Sequence, residues 1–186
     1  ADAGRVIFEG KDITNLSRHD RGRMGLGRTF QIPRPFAGMT VFENVLVGAT
    51  RGRGMGERAS YARCVDILEW SGLLTQANVA AGSLNLLDRK RLELARAYAT
   101  DPTVLLLDEI AGGLTDAEVE ELIAEIKNLR TTGLTIIWIE HIVHALLAVV
   151  DRITVINYGK KLCEGDPHEV MNSQEVRTCY MGGAPL

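Results

Sequence analysis

Residues 104–107 form an unbroken apolar run, Val-Leu-Leu-Leu, that leads directly into the carboxylates Asp108 and Glu109. Such a run predicts a strand that is buried on both faces, as in a parallel sheet flanked by helices. Ligands of open α/β sheets bind at the carboxyl ends of the strands, so chemistry is expected at this acidic pair. One carboxylate suits Mg²⁺, and the other can orient or deprotonate a water. The alternative is a core strand that runs into an acidic helix cap.

The segment after the acidic pair predicts a helix and then a second strand. Thr115 and Glu118 have the spacing of a capping box, in which each side chain satisfies the backbone N–H of the other residue, and Thr40 and Glu43 repeat it. A stripe of apolar residues follows the second box at helical spacing: Val119, Leu122, Ile123, Ile126 and Leu129. Residues 134–139 predict another buried strand. A strand–helix–strand unit of this kind is parallel, with a right-handed crossover.

His141 closely follows this second strand. If the two strands are neighbours in the sheet, their carboxyl ends meet at one edge, and His141 lies near Asp108 and Glu109. We therefore predict an imidazole beside the proposed phosphate and water. A purely structural histidine is the alternative.

Composition argues against several classes of function. The formal net charge of −3 and an isoelectric point near 5.8 give no signature of a nucleic-acid-binding surface. The three cysteines show no metal-ligand spacing, which fits a reducing compartment. No apolar run approaches the roughly 18 residues of a membrane span. The first residues lack a signal-peptide pattern, so we expect a cytoplasmic protein.

The pattern of elements divides the chain into three parts. Residues 1–39 contain short strands, one of them predicted at residues 28–31. Residues 40–100 are helical and contain no predicted strand. Residues 101–186 alternate strands with helices and end in a hairpin and two short helices. The pattern predicts an α/β fold, in which a parallel sheet with flanking helices carries an inserted helical lobe.

The order of these elements resembles the ATP-binding subunits of ABC transporters. Three stretches resemble the subgroup that serves branched-chain amino acid importers: LGRTFQIPRPFAGMTVFENVLVGA, RKRLELARAYATDPTVLLLDE and DRITVINYGKKLCEGDPHEV. The resemblance covers nearly the whole chain, and the ordered set is far more specific than any single motif. It implies a P-loop-type ABC ATPase core with an inserted α-helical lobe that ends in a signature helix.

The resemblance also implies roles for single residues. Asp108 corresponds to the Walker B aspartate, which binds Mg²⁺, and Glu109 to the general base. Gln31 corresponds to the Q-loop glutamine, which touches Mg²⁺ or the attacking water. His141 corresponds to the switch histidine, which contacts the γ-phosphate. ATP and Mg²⁺ are the implied cofactors.

The implied partners are a transmembrane permease, on which the helical lobe docks, and a second ATP-binding subunit of the same or another sequence. The implied location is the cytoplasmic face of the inner or plasma membrane, as a peripheral protein. Transported solutes are selected by other subunits in this family, so the sequence does not identify the solute.

The first departure from the family is that no Walker A loop, GxxxxGK[ST], occurs in the sequence. Gly10 and Lys11 are the nearest match, but Asp12 follows them and Arg5 stands where the first glycine belongs. In the family, the segment that resembles residues 1–10 comes after the Walker A helix. We therefore expect that the N-terminal part of the core is absent and that the chain as given does not hydrolyse ATP.

The second departure is in the signature motif, LSGGQ in the family, which is replaced here by Leu84, Asn85, Leu86, Leu87 and Asp88. In the family these residues face the ATP bound by the partner subunit, so residues 85–88 are the predicted cofactor-binding positions. The third departure is beyond Glu109, where Ile110 replaces the usual proline. Thr115 occupies the position of the D-loop aspartate and is a further predicted contact.

A transport ATPase has four alternatives. A response-regulator receiver domain needs a further acidic pair and a late lysine, and neither occurs. A DNA-repair ATPase of the same superfamily needs long heptad arms, for which the helical lobe has no room. A non-catalytic module that only docks on the permease stays open, as does a degenerate half-site that leaves turnover to its partner subunit.

Overall fold

The computed structural model describes residues 3–52 and 56–180. The chain folds into two compact units, Ala1–His141 and Ile142–Leu186. The strands of the first unit are β1 (Ile7–Phe8), β2 (Lys11–Asp12), β3 (Leu26–Arg28), β4 (Val104–Asp108) and β5 (Thr135–Ile139). Its helices are α1 (Arg18–Arg23), α2 (Val41–Arg51), α3 (Glu57–Trp70), α4 (Leu86–Ala99) and α5 (Asp116–Thr131). The second unit contains α6 (Val143–Val149), β6 (Ile153–Asn157), β7 (Lys160–Gly165), α7 (Pro167–Asn172) and α8 (Gln174–Tyr180).

A parallel sheet of three strands, in the order β3-β4-β5, organises the first unit. β4 pairs with β5 from Val104 opposite Thr135 to Asp108 opposite Ile139. The predicted pair of parallel, neighbouring strands is therefore confirmed. Its register brings both carboxyl ends to one edge of the sheet.

The strand predicted at residues 28–31 is wrong in position, because β3 ends at Arg28. Gly27 is a buried residue of this strand. A Cβ at Gly27 would lie 3.0 Å from the Cβ of Pro102 and 3.2 Å from the carbonyl oxygen of Ala97. The glycine is therefore needed for close packing of β3, a requirement that depends on residues distant in sequence.

Helices α2, α3 and α4 pack around one hydrophobic cluster. Its buried members are Val41, Val45, Ala49, Cys64, Ile67, Leu68, Leu73, Ala81, Leu84, Leu92, Ala95 and Ala99. The predicted capping box of α2 is confirmed: the Glu43 N–H donates to Thr40 Oγ1 at 3.1 Å, and the Thr40 N–H donates to Glu43 Oε2 at 2.7 Å. α2 approaches α4 so closely at Gly48 that a Cβ there would lie 2.4 Å from the Arg96 carbonyl oxygen.

Helix α5 has both features that its sequence predicts. The capping box is present, with the Thr115 N–H donating to Glu118 Oε2 at 2.8 Å and the Glu118 N–H donating to Thr115 Oγ1 at 3.4 Å. The predicted apolar stripe is buried, each side chain at most 2% exposed: Val119, Leu122, Ile123, Ile126 and Leu129.

The second unit is built on the antiparallel hairpin of β6 and β7, which turns at Tyr158 and Gly159. Both turn residues have positive φ, +45° and +74°, as a tight hairpin turn requires. The buried core of this unit comprises Ile153, Val155, Val170 and Val176. Within the described parts of both units, no helix is long and apolar enough to cross a bilayer.

Candidate functional site

Asp108 ends β4, and a side chain from β3 contacts its carboxylate. Arg28 Nη2 donates to Asp108 Oδ2 at 3.0 Å, and the two side chains are 54% and 34% exposed. The backbone N–H of Asp108 donates to Thr29 Oγ1 at 3.3 Å. Arg28 lies opposite Leu106, two residues before Asp108 and therefore on the same face of the sheet. No sequence motif marks Arg28, since only the strand register places it beside the carboxylate.

Gln31, Glu109 and His141 meet at the edge of the sheet. Gln31 Nε2 donates to Glu109 Oε2 at 2.6 Å, and His141 Nδ1 lies 3.9 Å from the same oxygen. Glu109 has a φ of +44°, which is uncommon for a residue with a side chain, and its N–H donates to the Ile139 carbonyl at 2.9 Å. The structure thus places the side chains of Gln31 and His141 beside one carboxylate oxygen of Glu109, so the three predicted catalytic residues lie together. Gln31 is among them, although only the family resemblance had singled it out.

Glu140 connects the ends of β4 and β5. Its side chain is 0% exposed; Oε1 accepts the Ala111 N–H at 2.9 Å, and Oε2 accepts the His141 N–H at 3.0 Å. The same Oε2 lies 3.3 Å from His141 Nδ1. Burial lowers the pKa of Lys90 on α4, and the charge of Glu140 opposes that shift. The sequence contains no signal for this role of Glu140, because burial of its side chain depends on residues that are distant in the chain.

The residues in place of the family signature form the start of α4, and the polar ones, Asn85 and Asp88, are hydrogen-bonded to each other. Asn85 is the N-cap: its Oδ1 accepts the Asp88 N–H at 2.8 Å, while its Nδ2 donates to Asp88 Oδ2 at 2.9 Å. Gln76 Nε2 donates to that oxygen as well, also at 2.9 Å. Asp88 and Leu87 are 7% and 6% exposed, whereas Leu86 is 43% exposed. The side chains of Leu87 and Asp88 therefore turn into the protein, and the amide of Asn85 is already engaged.

Arg91 contacts the buried Asp88 and joins α4 to α5. Its guanidinium lies 3.4 Å from Asp88 Oδ1, 2.7 Å from Glu121 Oε2 and 2.6 Å from Glu125 Oε1. Burial raises the pKa of Glu125, and the hydrogen bond and charge of Arg91 oppose that shift. The carboxylate that Asp88 brings to the signature position thus contacts a cation inside the protein, which it shares with Glu121 and Glu125.

Thr115 lies at the N-cap of α5, and its hydroxyl serves the capping box. Its backbone N–H lowers the pKa of Glu118 by hydrogen bonding to the carboxylate. The preceding turn packs beside the start of α4, since a Cβ at Gly113 would lie 3.4 Å from Leu86 Cδ2. The structure thus brings the turn before Thr115 next to the signature segment.

The residues present fit the metal end of a nucleotide site. Within the described residues, no group of three or more His, Cys, Asp or Glu side chains could hold a metal ion. Mg²⁺ in nucleotide sites is held by one or two carboxylates together with substrate phosphates. Asp108, now paired with the cationic Arg28, and Gln31 are suited to this role. Gly10 and Lys11 lie at the tight β1–β2 hairpin, so they do not form a phosphate-binding loop.

Comparison with known proteins agrees with this geometry. A family model described as "ABC transporter" matches residues 1–112. The high-affinity branched-chain amino acid transport ATP-binding protein LivG of Escherichia coli K12 is 36% identical, over 97% of this chain and 77% of its own length. The corresponding protein BraF of Pseudomonas aeruginosa is 34% identical, over 97% and 77%.

Solved structures show the same fold. The ADP conformation of an ATP-binding cassette of an ABC transporter superimposes with a TM-score of 0.85 at 29% identity, over 97% of this chain and 78% of that one. A nucleotide-free ATP-binding cassette gives a TM-score of 0.80 at 29% identity, over 97% and 74%. The predicted fold class and the family resemblance are therefore confirmed, and the chain belongs to the ATP-binding subunits of ABC transporters.

Proposed function

We propose that this chain is the ATP-binding and ATP-hydrolysing subunit of an importer for branched-chain amino acids, acting with a transmembrane permease and a second ATP-binding subunit. The observation that carries the proposal is the meeting of Gln31, Glu109 and His141 at one oxygen, beside Asp108. The similarity to LivG and BraF, which are named as branched-chain amino acid transport proteins, supports the class of solute. A peripheral position at the cytoplasmic face of the membrane follows from the role.

Asp108 and Gln31 are the proposed metal-binding residues. Bound ATP-Mg²⁺ would supply the transferable phosphoryl group and the charge that neutralises it. Arg28 keeps the Asp108 carboxylate at the sheet edge through the 3.0 Å contact. The amide of Gln31 donates its N–H to Glu109, which leaves the Gln31 carbonyl oxygen free for a metal or a water.

Glu109 is the proposed general base, because its carboxylate directly follows the proposed metal-binding residue Asp108 and can accept a proton from a water. Gln31 orients this carboxylate from one side, and His141 lies on the other. Glu140 positions His141 through contacts to both its backbone and its ring. Since Glu140 is buried and also accepts a hydrogen bond from the Ala111 N–H, its carboxylate has a fixed position and can orient the imidazole.

A degenerate half-site is the second candidate function. In the family, the signature serine donates to a phosphate on the partner subunit. Here the Asn85 Nδ2 donates to Asp88 instead, and Leu86 adds an exposed side chain where the family has a small residue. On this proposal, the backbone N–H groups of Leu86 and Leu87 contact the partner's nucleotide weakly, because those of Asp88 and Thr115 already donate to Asn85 and Glu118. The partner subunit then carries most of the turnover.

The test uses a polypeptide in which a Walker A loop precedes this sequence. Glu109→Gln should slow ATP hydrolysis by a factor on the order of 10² or more while nucleotide binding persists. Glu120→Gln, the same change at an exposed position on α5, serves as the matched control. Hydrolysis at the unsubstituted rate by the Glu109 variant would refute the assignment of the base. Reconstitution with a permease and measurement of leucine uptake then tests the solute class separately.

A further inference from the structure

A cavity of about 260 Å³ lies in the first unit between α1, β3 and the carboxyl-terminal ends of α2 and α4. It is lined by six basic side chains: Arg18, His19, Arg23, Arg28, Arg51 and Arg96. Phe30 and three glycines, Gly22, Gly27 and Gly52, contribute to the same wall. Among the described residues that line it, none carries a carboxylate. The cavity is therefore strongly positive in a chain whose formal net charge is −3.

Two of these arginines are neutralised by carboxylates outside the cavity lining. Arg28 pairs with Asp108 at 3.0 Å, and Arg96 pairs with Glu93 at 2.9 Å. For the other three arginines, the described part of the chain provides neither an ion pair nor a side-chain hydrogen bond: Arg18, Arg23 and Arg51. Three guanidinium groups thus line one cavity without an ion pair to any of the described residues.

Helix dipoles stabilise two of these three arginines but not the third. Arg51 and Arg23 lie in the last turns of α2 and α1, where a cation is favourable. Arg18 is the first residue of α1, where a cation faces the positive end of the dipole. Like charges gathered at one cavity repel, and an anion between them would remove that repulsion.

We propose that this cavity binds a small, multiply charged phosphate anion, either free in solution or as the headgroup of an acidic lipid. Guanidinium groups bind phosphate oxygens through paired N–H donors. Arg18, Arg23 and Arg51 come from both ends of α1 and from α2, so they can contact a tetrahedral anion from separate directions. A planar carboxylate with a single charge would satisfy fewer of them.

The size of the cavity agrees with such a ligand. Its volume of about 260 Å³ is several times the roughly 30 Å³ that one water occupies in the liquid, so a pyrophosphate-sized anion can enter. The proposal does not depend on the proposed transport function. Of the cavity residues only Arg28 touches the candidate ATP site, and Arg28 is left unchanged in the experiment for that reason.

Isothermal titration calorimetry with inorganic pyrophosphate tests a soluble ligand, and acetate is the comparison anion. We expect one pyrophosphate per chain, an affinity that falls with added salt, and weak or no binding of acetate. Arg18→Ala and Arg51→Ala should each weaken pyrophosphate binding about tenfold, the usual loss for one charge-assisted contact. Arg58→Ala removes an exposed arginine outside the cavity and should leave binding unchanged.

Sedimentation with lipid vesicles tests a headgroup. Binding to vesicles that contain phosphatidic acid, whose phosphomonoester carries up to two negative charges, but not to pure phosphatidylcholine, should be lost in Arg51→Ala and kept in Arg58→Ala. Either positive result supports the phosphate site and identifies its source. The proposal is overturned if neither probe binds, or if Arg58→Ala weakens binding as much as the cavity variants do. Unchanged thermal unfolding of the variants excludes misfolding as the cause.

Discussion

Replacement of Arg91 by methionine would leave a buried carboxylate without its partner. Arg91 contacts Glu125 Oε1 at 2.6 Å, and the two side chains are 16% and 10% exposed. The other carboxylate oxygen of Glu125, Oε2, is buried and has no hydrogen-bond partner among the described residues. Methionine keeps much of the apolar volume but none of the charge. Glu125 would then be buried as an unpaired anion or would take up a proton.

The loss of stability that Glu125 causes in Arg91→Met cannot exceed the free energy needed to protonate the Glu125 carboxylate. Its ordinary pKa is 4.5. Holding it neutral at pH 7, 2.5 units above this value, therefore costs at most about 3.5 kcal/mol, since each pKa unit corresponds to about 1.4 kcal/mol. Glu121 is half exposed and can be solvated, while Asp88 keeps its hydrogen bonds to Asn85 and Gln76. We therefore expect Arg91→Met to lower the free energy of unfolding at pH 7 by about 2 to 3 kcal/mol.

The sign of the pH dependence follows from the direction of the shift. Burial already raises the pKa of Glu125, and loss of Arg91 would raise it further. A carboxyl whose folded pKa exceeds its unfolded value favours the folded state at low pH. That contribution is complete below the unfolded pKa and is lost as the pH rises through the folded pKa. The destabilisation by Arg91→Met should therefore shrink to about 1 kcal/mol or less at pH 5.

Urea denaturation of the wild-type chain and the variant at pH 5 and pH 7 measures this difference. Adding Glu125→Gln to Arg91→Met removes the titrating group, so the pH-dependent part of the loss should disappear. Arg58→Met, at an exposed position on α3, is the control for removal of a charge. A loss of stability that is equal at both pH values, or unaffected by Glu125→Gln, would refute the reasoning.

Three further predictions concern packing, nucleotide binding and association. Gly48→Ala should lower the free energy of unfolding by about 2 kcal/mol or more, because its Cβ would lie 2.4 Å from the Arg96 carbonyl oxygen. Gly38→Ala, where a Cβ meets nothing within 4 Å, should change the thermal midpoint little. The 186-residue chain should bind no ATP-Mg²⁺ at micromolar concentration, as its sequence lacks a Walker A loop; one nucleotide bound per chain in calorimetry would contradict this. Ile137 and Ile139 are 55% and 63% exposed on edge strand β5, so light scattering should detect self-association that Ile137→Lys reduces; a monomer at high concentration would argue against it.

The sequence alone determined the elements whose signals are local. The capping boxes at Thr40 and Thr115 act within one helical turn, so their spacing was sufficient to place two helix starts. The apolar run before Asp108 predicted a buried strand in the same way. Since strands joined by a helix are parallel, the nearness of His141 to the acidic pair followed once the strands proved to be neighbours.

The tertiary structure decided the features that depend on residues far apart in the chain. β3 begins before its predicted position because Gly27 packs against Pro102 and Ala97. The side chain of Asp88 turns inward, where Asn85, Gln76 and Arg91 contact it, whereas the family resemblance implied a position facing the partner subunit's ATP.

The cationic cavity is also a product of the fold, because its arginines come from four separate elements. Each of them, taken singly in the sequence, is typical of a solvated surface. Electrostatic energy depends on distance in space, and spacing along the chain specifies that distance only within one helix or strand. The sequence therefore determined which groups are present, and the packing of α1, β3, α2 and α4 decided which of them share a cavity.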